Sequence, residues 1–182
     1  MKIKIDNNYN LFCVADLHLS HRNIIKYCNR PFNSVEEMNE KIISNWNNKV
    51  DYSDNVLILG DFCFGDEDMF DKFYDRLNGY KIFVRGNHDK KIPKDIQVYD
   101  VAEFSYKGHE YFCSHFAHRV WNKSHRGSIH LYGHSHGTLP DDPNSLSMDV
   151  GIDCHPNFEP FSEREILKHM EKKTFKAVDH HE

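Results

Sequence analysis

The sequence predicts a mixed α/β fold in one domain, and three observations carry that reading. Two strand–loop–helix–strand units follow one another between Leu11 and Val84, the pattern of a parallel sheet with crossover helices. From Gln97 the pattern becomes antiparallel, with a hairpin around Lys107-Gly108-His109. Five short apolar runs each stop at Asp, Asn or His, so polar chemistry collects at strand ends. A chain of 182 residues can bury a sizeable core, and no repeat or linker divides it, so residues 1–182 read as a single domain.

The elements follow in order. Met1–Asp6 alternates charge with Ile and reads as a strand rather than a signal peptide. Leu11–Ala15 is a buried strand ending in Asp16-Leu17-His18. Residues 19–33 form a polar loop. Ser34 and Glu37 make a capping box that opens a helix with Val35, Met38, Ile42 and Trp46 on one stripe. Val56–Leu59 is a strand buried on both faces and stopped by Gly60-Asp61. A helix from about Asp66 to Leu77 leads to strand Tyr80–Val84, which ends in Arg85-Gly86-Asn87-His88-Asp89. Val101–Tyr106 and Glu110–Cys113 flank the hairpin, and Ser114-His115 closes the second arm. Residues 116–128 are a second polar loop. Strand Ile129–Tyr132 delivers Gly133-His134-Ser135-His136, Leu146–Ile152 is a further strand, and Ser162 with Glu165 caps a last helix.

Composition narrows the function classes. Charged residues make up 28% and hydrophobic ones 39%, an ordinary globular balance, and no apolar run approaches a membrane span. No membrane partner is therefore expected. Five cysteines, odd in number and never spaced C-x-x-C, fit reduced thiols in a cytoplasmic compartment. A net charge of −5 argues against a broad electrostatic grip on nucleic acid. Histidine is the outlier at 14 residues. His180-His181 reads as a surface or tag feature; His109, His130, His155 and His169 read as hairpin tip, strand, loop and helix face.

Asp61 alone would be a turn cap, and D-x-H alone is common. Together, D-x-H, G-D, G-N-H-D, an isolated His and G-H-x-H stand in order at successive strand ends, as Asp16-Leu17-His18, Gly60-Asp61, Gly86-Asn87-His88-Asp89, His115 and Gly133-His134-Ser135-His136. In this the chain resembles the calcineurin-like metallophosphoesterases, and in loop texture the small stand-alone phosphoesterases of bacteria and phages. The resemblance implies a four-layer α/β/β/α sandwich, two mixed sheets face to face with helices on both outer sides. It implies a dinuclear centre: Asp16, His18 and His136 on one metal, Asn87, His115 and His134 on the other, Asp61 bridging. His88 resembles the family's proton donor to the leaving oxygen, with Asp89 orienting it. Ala117 departs from the family, which often carries proline there.

Two divalent ions about 3.5–4 Å apart can share a carboxylate and a hydroxide and clamp the attacking and leaving oxygens of a phosphate. Mixed N/O ligation suits Mn²⁺, Fe²⁺, Ni²⁺ or Zn²⁺ better than Ca²⁺, and family habit favours Mn²⁺. The expected activity is hydrolysis of phosphomono- or phosphodiesters, on a small phosphoester or nucleotide-like substrate. With no inserted cap domain, loops 19–33 and 116–128 must read that substrate, and His21, Arg119 and His125 are the candidate contacts. A nuclease is the alternative; its basic track would need Arg22, Lys26, Arg30, Arg119, Lys123 and Arg126 on adjoining loops. A catalytically inactive binding module is the third reading, disfavoured because every expected position is filled.

Overall fold

A computed structural model describes residues 2–178. Met1 and the His180-His181 pair lie outside the described residues.

Two mixed sheets pack face to face. The first runs β4 (Val98–Tyr99), β3 (Tyr80–Val84), β2 (Asn55–Leu59), β1 (Leu11–Val14), β9 (Phe161–Ser162). Its first four strands are parallel, and β9 pairs antiparallel to β1. The second runs β5 (Val101–Tyr106), β6 (His109–Ser114), β7 (Ile129–Tyr132), β8 (Ser147–Asp149).

Strand alternation explains why β1 and β2 read as unbroken apolar runs. Leu11, Cys13, Leu57 and Leu59 point into the core between the sheets, where they meet Ala102, Phe104, Tyr111, Cys113 and Leu131. Phe12, Val14, Val56 and Ile58 point the other way, against Met38, Ile42 and Trp46 of α2 (Val35–Lys49) and Phe70 and Phe73 of α3 (Glu67–Tyr74). Both faces are dry, so beyond Asn55 at the start of β2 neither strand carries a polar position. The last helix, α4 (Glu163–Met170), sends Ile166 and Met170 into the core between the sheets. Segment 116–128 lies over the outer face of the second sheet. There the Trp121 ring sits 5.1 Å from His130, and His130 accepts the His118 N–H at 2.9 Å while its other nitrogen bonds the Phe112 carbonyl at 3.0 Å. His130 is therefore a buried strap for that segment, and burial lowers it to about 4.

Four expectations change. The second half is not antiparallel throughout: only β5–β6 is, while β6–β7 and β7–β8 are parallel. Segment 115–128 makes a crossover without a regular helix, so no 3.6-residue period betrays it. Loop 19–33 contains a one-turn helix, α1 (Ile24–Tyr27). The strand expected over Leu146–Ile152 keeps three residues, because the Asp149 carboxylate takes the Gly151 N–H and turns the chain. Of Met1–Asp6, Lys2 makes a lone bridge to Glu103.

The caps form with one variation. Ser34 accepts the Glu37 N–H, and Glu37 reaches back to Asn33 rather than to Ser34. At α4 the box is complete. It is joined by Lys49, whose ammonium lies 2.8 Å from Glu165, 3.0 Å from Glu159 and 3.4 Å from His155. That His–Glu–Glu cluster has the ligand spacing of a metal site, but Lys49 already fills the cation position and ties the end of α2 to the start of α4.

Burial alone would raise the Glu165 carboxyl; bonds from Lys49, Ser162 and His155 overrule it and bring it down to about 2. Its folded value lies below its ordinary 4.5, so its contribution to stability is complete above pH 4.5 and drains away as pH falls towards 2. Glu165→Gln keeps a capping side chain and removes the charge. In urea titrations of chelator-treated protein, the stability gap between wild type and Glu165→Gln is expected to be widest near neutrality and to close on acidification. A gap independent of pH would remove this carboxylate from the ledger.

Candidate metal centre

The parallel strands of both sheets end on one edge, and all five motifs lie there. Asp16 and His18 follow β1, Asp61 follows β2, Asn87 follows β3, His115 follows β6, and His134 and His136 follow β7. The β1–β2 ladder continues past the strands: Asp16 N–H donates to Gly60 O at 3.0 Å and His18 N–H to Asp61 O at 2.9 Å. Ala15 donates to Val150 O at 3.0 Å, which stitches the first sheet to the second beside the centre. The turn after β2 needs glycine at two touching positions. Gly60 has φ +94°, and a Cβ there would lie 2.6 Å from the Gly86 Cα; a Cβ on Gly86 would lie 2.2 Å from Asp61 Oδ1.

All seven expected ligands converge. Asp16, His18 and His136 bring one donor atom each within 4.8 Å of one another. Asn87 Oδ1 lies 2.9 Å from His115 Nε2 and 3.0 Å from His134 Nδ1. Asp61 Oδ2 sits between the two groups, 3.6 Å from His18 Nε2 and 3.6 Å from His115 Nε2. Asp16, His18, Asp61 and His115 are almost wholly buried, while Asn87 and His134 face solvent. Five of the seven hold a left-handed backbone that side chains disfavour: Asp16 (φ 57°), His18 (49°), Asp61 (55°), His134 (67°) and His136 (47°).

The donor set fits a cation on this chain's own evidence. Asp16 Oδ1 and both His18 nitrogens are buried without a hydrogen-bond partner. Such atoms are costly unless something positive reaches them. Burial, reinforced by neighbouring positive charge from His136 and Arg30, lowers His18 to about 2, so it stands neutral and ready to ligate. Burial, with Asp149 and Asp61 adding to it, drives the Asp16 carboxyl well above the carboxylate range. Cys28, His136 and Asp153 form another candidate group, but both Asp153 oxygens are already held, by Arg30 at 2.7 and 2.8 Å and by His136 Nδ1 at 2.7 Å.

Two residues behind the ligands are absent from the sequence reading of the site. Arg30, read as a loop cation, is buried. Its guanidinium grips Asp153 with two bonds of 2.7 and 2.8 Å and donates to the carbonyls of Asp16 at 2.7 Å and Leu17 at 2.9 Å. Asp153 in turn meets His136 Nδ1 at 2.7 Å, which frees the opposite nitrogen of His136 for a cation. Against burial, these bonds hold Asp153 below the carboxylate range and His136 above the imidazole range. His115 is fixed the same way, by Nδ1 on Leu59 O at 2.8 Å.

The role expected of Asp89 is corrected. Its two oxygens accept the N–H groups of Asp61 at 2.9 Å, Phe62 at 3.1 Å and Gly86 at 2.8 Å. It positions the backbone under Asp61 instead of the His88 ring. His88 itself is exposed, 5.6 Å from the His18 ring and 5.2 Å from Phe64. His21 stacks on Phe64 at 3.8 Å and lies 5.4 Å from His18, at the rim of the centre. Arg119 and His125 do not line either cavity that touches the centre, because segment 116–128 is strapped over the second sheet; Phe116 and His118 stand there instead. The basic track also thins: Arg30 is buried, and Lys123 pairs with Glu110 at 3.0 Å.

No family model matches the chain. Over 169 residues it is 36% identical to the uncharacterized protein MJ1445 of Methanocaldococcus jannaschii, covering 89% of this chain and 92% of that one. The chain belongs to the MJ1445 family. The fold is also that of a solved structure, the protein of unknown function AQ665 from Aquifex aeolicus, with a TM-score of 0.66, 22% identity, and coverage of 89% of this chain and all of that one.

The Arg30–Asp153–His136 chain makes a testable claim. Asp153→Asn and Arg30→Lys are each expected to weaken one of two metal sites by roughly 10–100-fold and to leave the other near its wild-type affinity. Calorimetric titration with Mn²⁺, on variants whose circular dichroism is unchanged, reads this directly. Equal weakening of both sites, or of neither, would break the assignment.

Proposed function

We propose that this protein is a dinuclear metal-dependent phosphoesterase of the calcineurin-like kind. The observation that carries the reading is Asp61 Oδ2, equidistant at 3.6 Å from an imidazole of each ligand group. A carboxylate placed between two three-residue sets is what a pair of cations would share. The five motifs of the resemblance supply the rest.

Asp16, His18 and His136 would hold one ion, Asn87, His115 and His134 the other, and Asp61 both. Nitrogen and oxygen donors without thiolate suit Mn²⁺ first, with Fe²⁺, Ni²⁺ and Zn²⁺ compatible. When bound, two such ions supply Lewis-acid charge to the phosphoryl oxygens and lower the pKa of an attacking water. The chain does the remainder. Asp89 fixes the backbone of Asp61, and Asp61 Oδ1 takes the His88 N–H at 2.9 Å, so the acid and the bridge move as one unit. The exposed His88 ring, at the mouth of the centre, would protonate the departing oxygen. Five unpaired cysteines suit a reducing, cytoplasmic compartment. Among the described residues no helix is long and apolar enough to cross a membrane.

The reading is tested with purified protein and Mn²⁺, where chelation is expected to abolish turnover. His88→Ala should then separate chemistry from metal binding. It is expected to cost about 10²–10⁴-fold on an alkyl or ribose leaving group and far less on nitrophenolate, with metal content unchanged. Equal losses on both would take His88 out of the acid role. Asp89→Asn should behave differently from His88→Ala. It turns one of two acceptor oxygens into a donor, facing either the Phe62 N–H or those of Asp61 and Gly86, so stability and metal retention are expected to fall together, without leaving-group selectivity.

A further inference from the structure

The segment Arg85–Asp89 divides two cavities that open on different sides of the same centre. One, of 210 Å³, is lined by Phe64, Phe70, His88, Lys90, Lys91 and Ile92 among others. The other, of 340 Å³, is lined by Arg85, Asn87, His115, Phe116 and His118 among others. Ligand pockets for a whole small molecule run from about 300 to 1,000 Å³. The first falls below that scale and the second stands at its lower end; the first reaches the centre through His88, the second through Asn87 and His115. One substrate spanning both is the economical occupant.

Each cavity has an aromatic wall beside the centre. Phe64 is backed by the His21 ring, parallel to within 13° at 3.8 Å, and lies 5.2 Å from His88. Phe116 keeps 51% of its surface exposed, although it sits 4.5 Å from His134 and 5.0 Å from His115. A half-exposed phenylalanine beside a polar centre offers ring surface that a planar ligand group would use. Each cavity also has exposed cations at its rim: Lys90 and Lys91 on the His88 side, Arg85 on the other, the last only loosely held by Asp100 at 3.5 Å. Of the carboxylates nearby, Asp89 is spent on three backbone N–H groups and Asp66 caps α3.

We infer that the centre acts on a phosphodiester carrying a planar base on each side, with the leaving nucleoside against Phe64 and the retained one against Phe116. This rests on the phosphoesterase reading and narrows it from phosphoesters at large to dinucleotides or single-stranded nucleic acid. A phosphomonoester would leave one of the two walls unused. A duplex would offer neither wall a free base face. Stacking on an aromatic side chain tolerates any base, so little sequence preference is expected.

The test uses the Mn²⁺-loaded full chain and asymmetric diesters. Thymidine 5′-(p-nitrophenyl phosphate) and methyl p-nitrophenyl phosphate share a leaving group and differ on the retained side. Phe116→Ala is expected to lower the ratio of their kcat/KM values by about tenfold. Dithymidine phosphate and thymidine methyl phosphate differ on the leaving side, and Phe64→Leu should lower their ratio in the same way. Calorimetry of dithymidine phosphate on the His88→Ala chain is the second readout, with Phe116→Ala on that background weakening Kd about tenfold. Oligothymidine run beside the dinucleotide separates the two sources, since a strand uses the rim cations and binds with a steeper salt dependence. Turnover of simple esters with both ratios unmoved would overturn the two-walled site and leave the phosphoesterase reading standing. Absence of all turnover, with dithymidine phosphate still bound through Phe116, would overturn the phosphoesterase reading and the diester as substrate, and leave Phe116 as a base-binding wall alone. Absence of turnover together with Phe116-independent binding, or none, would overturn both.

Discussion

Everything at the site answers to one constraint: carboxylate and imidazole atoms are buried with too little positive charge to satisfy them. Asp16 and His18 lie under the surface with three orphaned polar atoms between them, and Asp61 is buried beside them. Taking an unpaired charge out of water costs several kcal/mol (order of magnitude). Five ligand positions add left-handed backbone, each costing on the order of 1–3 kcal/mol. A fold can carry such costs only where the surroundings over-determine the conformation. Here they do: hydrogen bonds from β1 to β2, from Ala15 to Val150 and from Arg30 to two carbonyls leave the loops little freedom.

Asp89 illustrates how that rigidity is built. A carboxylate with both oxygens filled by backbone N–H groups is a template for the loop around it. It fixes the peptides of Asp61 and Gly86 against each other, at the spot where a side chain on Gly86 would collide with the Asp61 carboxylate. Sequence proximity suggests that Asp89 serves His88. Neighbouring side chains on a tight turn diverge, however, and Asp89 turns inward while His88 turns out.

The residues that converge here were legible in the sequence because each sits within a few residues of a strand end, and β1 and β2 are apolar on both faces. Burial writes itself into consecutive letters there. Arg30 and Asp153 were not legible. They meet across 123 positions, and each looks like an ordinary surface charge in its own neighbourhood. Strand direction in the second half was hidden for a related reason: segment 115–128 crosses over with no more than a 3-10 turn at Ser124–Arg126, so no periodicity separates a crossover from a hairpin. The short α1 and the two-residue β9 leave no pattern at all. Phe116 and Phe64 stand in loop segments, and only the fold sets both beside the same polar centre.

The seam between the sheets has a kinetic consequence. The ligands run from Asp16 to His136 and come from five strand ends on two sheets, so no early folding fragment contains a complete cation site. A cation can gain its full coordination only after both sheets have docked and Ala15 has met Val150. Interactions that form after the rate-limiting step leave the rate of folding alone and slow the reverse reaction. A cation bound there would therefore lengthen the lifetime of the native chain rather than hasten its formation. Such a cation would work as a latch, closed last and opened first.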